Sequence, residues 1–187
     1  YGIELGVADF AQVCAKEESP AEKHTCEHAI GHGLTSYTGY TLEGLNIALE
    51  SCKNIQTDSD FTIGCAGGAF MEYYNRILLR TDNVSPREMT AENVYEPCTQ
   101  LSEEYHSSCL FWQPEWWYIE LKKTVDVNTP AGVRDALNRV GQYCGEAPFP
   151  NETRRACYRG VGYITGWTVN QDPEQAAKVC ANVSPRL

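Results

Sequence analysis

The spacing of the cysteines constrains the fold of this chain more than any other feature. Nine cysteines occur in 187 residues. Eight of them fall into pairs with 10 to 12 residues between the two members: Cys14/Cys26, Cys52/Cys65, Cys98/Cys109 and Cys144/Cys157. None is a Cys-x-x-Cys pair, which argues against zinc ribbons, thioredoxin-like sites and c-type haem attachment. The pairs predict four disulfides in an oxidising compartment, so that the protein is expected to be secreted or periplasmic.

The segments that lead into the cysteines have the apolar spacing of helices. Leu42, Leu45, Ala48 and Leu49, for example, approach Cys52 at helical intervals, whereas strand-like alternation is scarce. Helix-starting residues precede these segments. The candidate N-caps are Ser19, Thr41, Ser59, Ser85, Asn128 or Thr129, Asn151 and Asp172. The sequence therefore predicts an all-α fold.

The helix–cysteine–loop–cysteine–helix unit recurs along the chain. The first cysteines stand at positions 14, 52, 98, 144 and 180, and a self-similarity of this length is typical of helical repeat arrays. We expect one right-handed α/α solenoid over 1–187, whose hairpins are each stapled by a disulfide. The predicted hairpins span 1–40, 41–80, 86–122 and 129–170, and a trailing helix spans 173–182. Cys180 has no second cysteine after it, so we expect either a longer array or an inter-chain disulfide that allows self-assembly.

Small residues follow the second cysteine in three of the four units, as at Gly31, Gly33, Gly68, Gly160 and Gly162. Glycine inside a helix costs up to ~1 kcal/mol relative to alanine, so its recurrence suggests close contact between helix backbones.

The third unit carries bulky side chains after its second cysteine instead. Trp112, Glu115, Trp116 and Trp117 could line a groove for a sugar or an extended peptide, or the tryptophans could fill the core where glycines are missing. Because neighbouring residues point to different sides of a helix, at least one tryptophan is expected to be exposed.

The pattern resembles the Sel1-like repeats of secreted, cysteine-rich bacterial proteins. The resemblance rests on the cysteine-paired α/α units, on the small residues after the second cysteine, and on the closing segments Ala48 to Cys52 and Ala176 to Cys180. It implies a solenoid that binds peptides or proteins, and it transfers no catalytic residue.

The charge of the chain restricts its partners. The net charge of −10 argues against binding to nucleic acid or to an anionic membrane surface. No apolar run approaches the roughly 18 residues of a membrane span. These observations favour an extracytoplasmic interaction module over an enzyme.

A histidine stripe is the other candidate site. His24, His28 and His32 would follow one another at single helical turns. His24 is about 12 Å along the axis from His32, too far to share one ion with it. His28 and His32 form a metal-binding His-x-x-x-His pair, and the repeat alignment offers Glu72 as a third ligand. The hypothesis is one divalent zinc, copper or iron ion; the alternative is histidines that make ordinary hydrogen bonds.

The same stretch also spells an inverted zinc-protease motif, His-x-x-Glu-His, with Glu27 as general base. Because Cys26, within the motif, is predicted to be in a disulfide and a mixed α/β fold is not indicated, we assign no catalytic residue.

Overall fold

A computed structural model describes residues 3–55, 62–76, 87–169 and 172–183. These ranges contain eight α-helices and two short 3-10 helices, and no β-strand. The α-helices are α1 (Ile3–Cys14), α2 (Pro20–Thr38), α3 (Leu42–Lys53), α4 (Gly64–Asn75), α5 (His106–Leu121), α6 (Pro130–Glu146), α7 (Asn151–Thr168) and α8 (Pro173–Val183). The predicted all-α class is confirmed, whereas the winding of hairpins into a solenoid stays a prediction.

The chain divides into two compact units. The first unit, Tyr1–Pro86, contains α1 to α4, and the second unit, Arg87–Leu187, contains α5 to α8. A single array over 1–187, with the hairpin boundaries given above, stays a prediction.

All four predicted disulfides are formed. They join Cys14 to Cys26, Cys52 to Cys65, Cys98 to Cys109 and Cys144 to Cys157. Each closes a short loop, and constraint of the unfolded chain by such a loop is worth up to ~3 kcal/mol. Cys180 is a free, exposed thiol.

Four of the eight described α-helices begin where the capping signals predict. Ser19 and Glu22 form a reciprocal capping box at α2, and Thr41 and Thr129 cap α3 and α6 through their hydroxyl groups. Asp172 accepts the backbone N–H groups of residues 174 and 175 at the start of α8. Ser59 and Ser85 lie outside the described residues.

The prediction for Asn151 was wrong. Pro150 occupies the N-cap position of α7 in an extended conformation, and Asn151 is the first helical residue. The side-chain oxygen of Asn151 accepts a hydrogen bond from Arg154 instead of capping the helix.

The first half of the predicted hairpin 86–122 is not an α-helix. Turns occupy residues 91–97, and 3-10 helices follow at Cys98–Gln100 and Glu103–Tyr105. The side chain of Gln113, on α5, donates hydrogen bonds to the carbonyls of Val94 and Glu96 at 2.7 and 3.1 Å. Since these carbonyls find partners on α5, the segment satisfies them without forming a helix of its own.

The helices that contain the second cysteine of each pair pack in twos, α2 with α4 and α5 with α7, at very short distances. A Cβ added at Gly31 of α2 would lie 1.9 Å from the Cys65 carbonyl oxygen on α4, and one at Gly68 would lie 2.0 Å from the His28 carbonyl oxygen. Gly160 of α7 is equally close to the Phe111 carbonyl oxygen on α5, at 2.0 Å. The predicted backbone contact is confirmed at these glycines.

The predicted backbone contact is absent at Gly33 and Gly162, where an added Cβ would meet nothing within 4 Å.

Helices α2 and α4 run in the same direction. His28, Gly31 and Thr35 of α2 meet residues 64, 65 and 69 of α4, so that contacting positions rise together along the two helices. This register places equivalent repeat positions of α2 and α4 side by side, as at His32 and Glu72.

Candidate functional site

The first unit brings His28, His32 and Glu72 together. His28 and His32 lie one turn apart on α2, and their Nε2 atoms are 3.2 Å from each other. Nδ1 of His32 lies 2.9 Å from Oε2 of Glu72 on α4. Nδ1 of His28 lies 3.2 Å from the carbonyl oxygen of Gly64, the first residue of α4. We call His28 and His32 the imidazole pair, and Glu72 its carboxylate.

Two local features position the imidazole pair. The Cys14–Cys26 disulfide anchors α2 two residues before His28, and the Cys52–Cys65 disulfide anchors α4 one residue after Gly64. Gly31 and Gly68 then allow the two backbones to approach closely enough for a histidine ring to reach across. A side chain at either glycine would force the helices apart.

The partners of the two rings determine where their hydrogens lie. A carbonyl oxygen only accepts, so Nδ1–H of His28 donates to Gly64, and Nδ1–H of His32 donates to the Glu72 carboxylate. A neutral imidazole with its hydrogen on Nδ1 has a lone pair on Nε2. Two lone pairs at 3.2 Å repel each other, so the geometry calls for a positive charge between the Nε2 atoms, either a shared proton or a metal ion.

A buried network holds the carboxylate. Glu72 is completely buried, and its Oε1 accepts a hydrogen bond of 2.6 Å from the hydroxyl of Tyr40. Gly39, at φ +97°, ends α2 in a conformation that favours glycine and turns the chain so that Tyr40 faces α4. The guanidinium of Arg76 lies 4.9 Å from the centre of the Tyr40 ring.

Sequence reasoning missed Tyr40 because it follows the end of a helix and belongs to no periodic pattern. The only local signal is the glycine before it, which marks a turn but not its direction.

The site shifts the ionisation of two of its members. Burial lowers the pKa of His28, the charge of His32 lowers it further, and the hydrogen bond to Gly64 opposes both. Burial and the hydrogen bond to Glu72 raise the pKa of Tyr40 to about 12, so its hydroxyl remains protonated at neutral pH and can donate to the carboxylate. The lowered pKa of His28 favours the neutral form of this ring.

The separation of the Nε2 atoms suits a tetrahedral ion. Two nitrogens bound at ~2.1 Å to one tetrahedral zinc ion lie about 3.4 Å apart, close to the observed 3.2 Å. Within the described ranges, no group of three His, Cys, Asp or Glu side chains is arranged to hold one ion. The site offers two nitrogen donors, Nε2 of His28 and Nε2 of His32, and Glu72 contacts Nδ1 on the opposite side of the His32 ring.

The other residues of the histidine stretch separate from this site. His24 lies one turn before His28 on α2. Glu27 is completely buried, and neither of its carboxylate oxygens has a hydrogen-bond partner in the protein. Cys26 is in the disulfide, and Glu27 lacks the exposure that a general base acting on a substrate requires.

The predicted exposure of a tryptophan in the third unit was wrong. Trp116 and Trp117 are 0% exposed and Trp112 is 6% exposed. Trp116 and Trp117 are neighbours on α5, and both bond to the segment that precedes this helix. The indole N–H of Trp116 donates to the carbonyl of Arg87, and that of Trp117 donates to the carbonyl of Val94. The segment before α5 thus covers a second face of this helix.

The tryptophans therefore fill the core of the second unit. Glu115 lies beside Tyr163, where its charge adds to burial in raising the pKa of the phenol. The exposed tryptophan is Trp167 on α7, at 63%.

Within the described residues, no helix has both the length and the apolar character needed to cross a bilayer. No family model, curated protein or solved structure matches this chain, so its function has to be argued from the residues themselves.

Proposed function

We propose that this protein binds one divalent transition-metal ion through Nε2 of His28 and Nε2 of His32. The supporting observation is that the two Nε2 atoms face each other at 3.2 Å while both Nδ1 atoms are committed to acceptors. A metal ion would displace the proton shared by the two Nε2 atoms and form two coordinate bonds in its place. Imidazole nitrogen suits zinc, copper and iron, and the nitrogen separation is nearest to that of tetrahedral zinc.

The scaffold supports a role outside the cytoplasm. Two of the four disulfides anchor the helices on which the site stands, and such bridges persist in oxidising compartments. We propose a secreted or periplasmic metal-binding protein. No residue is assigned a catalytic role.

Zinc loading followed by dialysis and elemental analysis tests the proposal. Wild-type protein is expected to retain one zinc ion per chain, and the His28→Ala/His32→Ala variant is expected to retain none. His24→Ala is the matched control, because it removes a histidine from the same helix one turn outside the pair. Equal zinc content in wild type and the double variant would overturn the proposal.

A second candidate function is protein or peptide binding, alone or combined with metal binding. Two large aromatic side chains on helices that contain second cysteines favour it: Tyr37 is 77% exposed on α2 and Trp167 is 63% exposed on α7. Such residues are enriched at interaction surfaces.

The exposed thiol of Cys180 offers a covalent route to self-assembly. Electrophoresis without reductant separates this route from non-covalent binding. A dimer that survives in wild type and disappears in Cys180→Ser supports it, and identical monomers in both contradict it.

A further inference from the structure

We propose that Glu72 is a positioning residue that holds the ring of His32 in its metal-binding orientation, and that Tyr40 in turn holds Glu72. The inference rests on the proposed metal site and changes the role that the sequence predicted for Glu72, from ligand to support. It also adds a residue, Tyr40, that no sequence pattern indicated.

Both oxygens of Glu72 are already engaged. Oε2 accepts from Nδ1 of His32 at 2.9 Å, and Oε1 accepts from the Tyr40 hydroxyl at 2.6 Å. The carboxylate is completely buried, so each contact compensates for lost hydration and is costly to break. Moving Glu72 onto an ion would leave the phenol hydroxyl and the Nδ1–H group without these acceptors.

The geometry of the imidazole ring separates Glu72 from the proposed ion. Nδ1 and Nε2 point to opposite sides of the ring. An ion bound ~2.1 Å beyond Nε2 lies roughly 7 Å from an oxygen that contacts Nδ1. Coordination by Glu72 would therefore require the ring of His32 to turn and give up the observed hydrogen bond.

A carboxylate in this place has two effects on its histidine. It keeps the hydrogen on Nδ1, which leaves the lone pair on Nε2, and it fixes the orientation of the ring. The Tyr40 hydroxyl fixes the carboxylate from its other oxygen, and the guanidinium of Arg76 packs over the Tyr40 ring. His28 uses the Gly64 carbonyl for the same purpose, so both rings of the pair are oriented through Nδ1.

The test combines three variants with two measurements. Glu72→Leu removes the acceptor at similar volume, Glu72→Gln keeps a carbonyl acceptor but no charge, and Tyr40→Phe removes only the hydroxyl. Nitrogen-15 NMR of the metal-free protein reports which ring nitrogen of His32 carries the hydrogen. Titration with cobalt(II), followed by its visible absorption bands, reports affinity and coordination geometry. His24→Ala is the control, and circular dichroism checks that each variant is folded.

We expect the hydrogen of His32 to lie on Nδ1 in the wild type and to distribute over both nitrogens in Glu72→Leu. Cobalt affinity should fall about 10–100-fold in Glu72→Leu and less in Glu72→Gln and Tyr40→Phe, with unchanged band positions. A band shift that marks the loss of an oxygen ligand in Glu72→Leu would overturn the inference, and so would an unchanged tautomer. Wild-type protein that binds no cobalt would overturn the proposed function, while the tautomer still decides the role of Glu72.

Discussion

Two completely buried carboxylates of the first unit have opposite surroundings. Glu72 accepts hydrogen bonds at both oxygens, whereas Glu27, equally buried, has no hydrogen-bond partner in the protein. A buried carboxylate without partners is destabilising, because it loses its hydration and gains nothing in return. The hydrogen bonds of Glu72 therefore compensate for its burial, whereas the burial of Glu27 lowers the stability of the fold.

Replacement of Glu27 by a side chain of similar volume is expected to stabilise the protein. Glu27→Met should raise the free energy of unfolding by about 1–3 kcal/mol, since it removes a buried polar group that makes no hydrogen bond. Glu27→Gln, which keeps the polarity without the charge, should lie between wild type and Glu27→Met. Urea unfolding of the three proteins measures the effect. A clear loss of stability in Glu27→Met would show that the carboxylate is satisfied within the fold.

At the scale of helices, the cysteine register and the capping residues were sufficient to predict the all-α class, the four disulfides and the start of four helices. Ser19, Thr41, Thr129 and Asp172 begin helices as their sequence context indicates. The segment before α5 escaped prediction because its backbone bonds to Gln113, a contact between positions far apart in sequence that local patterns do not record. The burial of both Trp116 and Trp117 has the same cause.

The candidate site was predictable in part for a related reason. The repeat register placed Glu72 beside His32, because equivalent positions of neighbouring repeats stack. It could not predict that the carboxylate meets Nδ1 of His32 instead of Nε2, since this depends on the position of the carboxylate, whose other oxygen accepts from the Tyr40 hydroxyl.

Close packing of α2 on α4 gives a prediction with a control on the same helix. Gly31→Ala places a Cβ 1.9 Å from the Cys65 carbonyl oxygen, so the helices must separate, and a loss of at least ~1–3 kcal/mol is expected. Gly33→Ala meets nothing within 4 Å and should stabilise the protein by up to ~1 kcal/mol through helix propensity.

Thermal unfolding of the two variants beside wild type measures both effects. Equal changes in Tm would contradict the assignment of Gly31, and not Gly33, to the backbone contact. Because separation of α2 and α4 also moves His32 away from Glu72, only Gly31→Ala should weaken metal binding.

For the whole molecule, four disulfides and one free thiol account for the nine cysteines. Two bridges fall in the first unit and two in the second, so each unit is stapled independently of the other. The proposed metal site stands on α2 and α4, and each of these helices is anchored by one of the two bridges of the first unit.

Alkylation in denaturant without reductant should label a single thiol per monomeric chain, and peptide mapping should place it at Cys180. After reduction, all nine cysteines should react. Mass spectrometry of the intact chain counts the added groups. Two or more labelled thiols before reduction would contradict the disulfide pattern on which the helical scaffold rests.

The central claim is that one ion lies between Nε2 of His28 and Nε2 of His32. Anomalous diffraction from zinc-loaded crystals at the zinc absorption edge tests it most directly. The account predicts one strong peak at ~2.1 Å from both Nε2 atoms, with Glu72 still hydrogen-bonded to Nδ1 of His32. The absence of a peak there, or a peak bonded to a Glu72 oxygen, would contradict it.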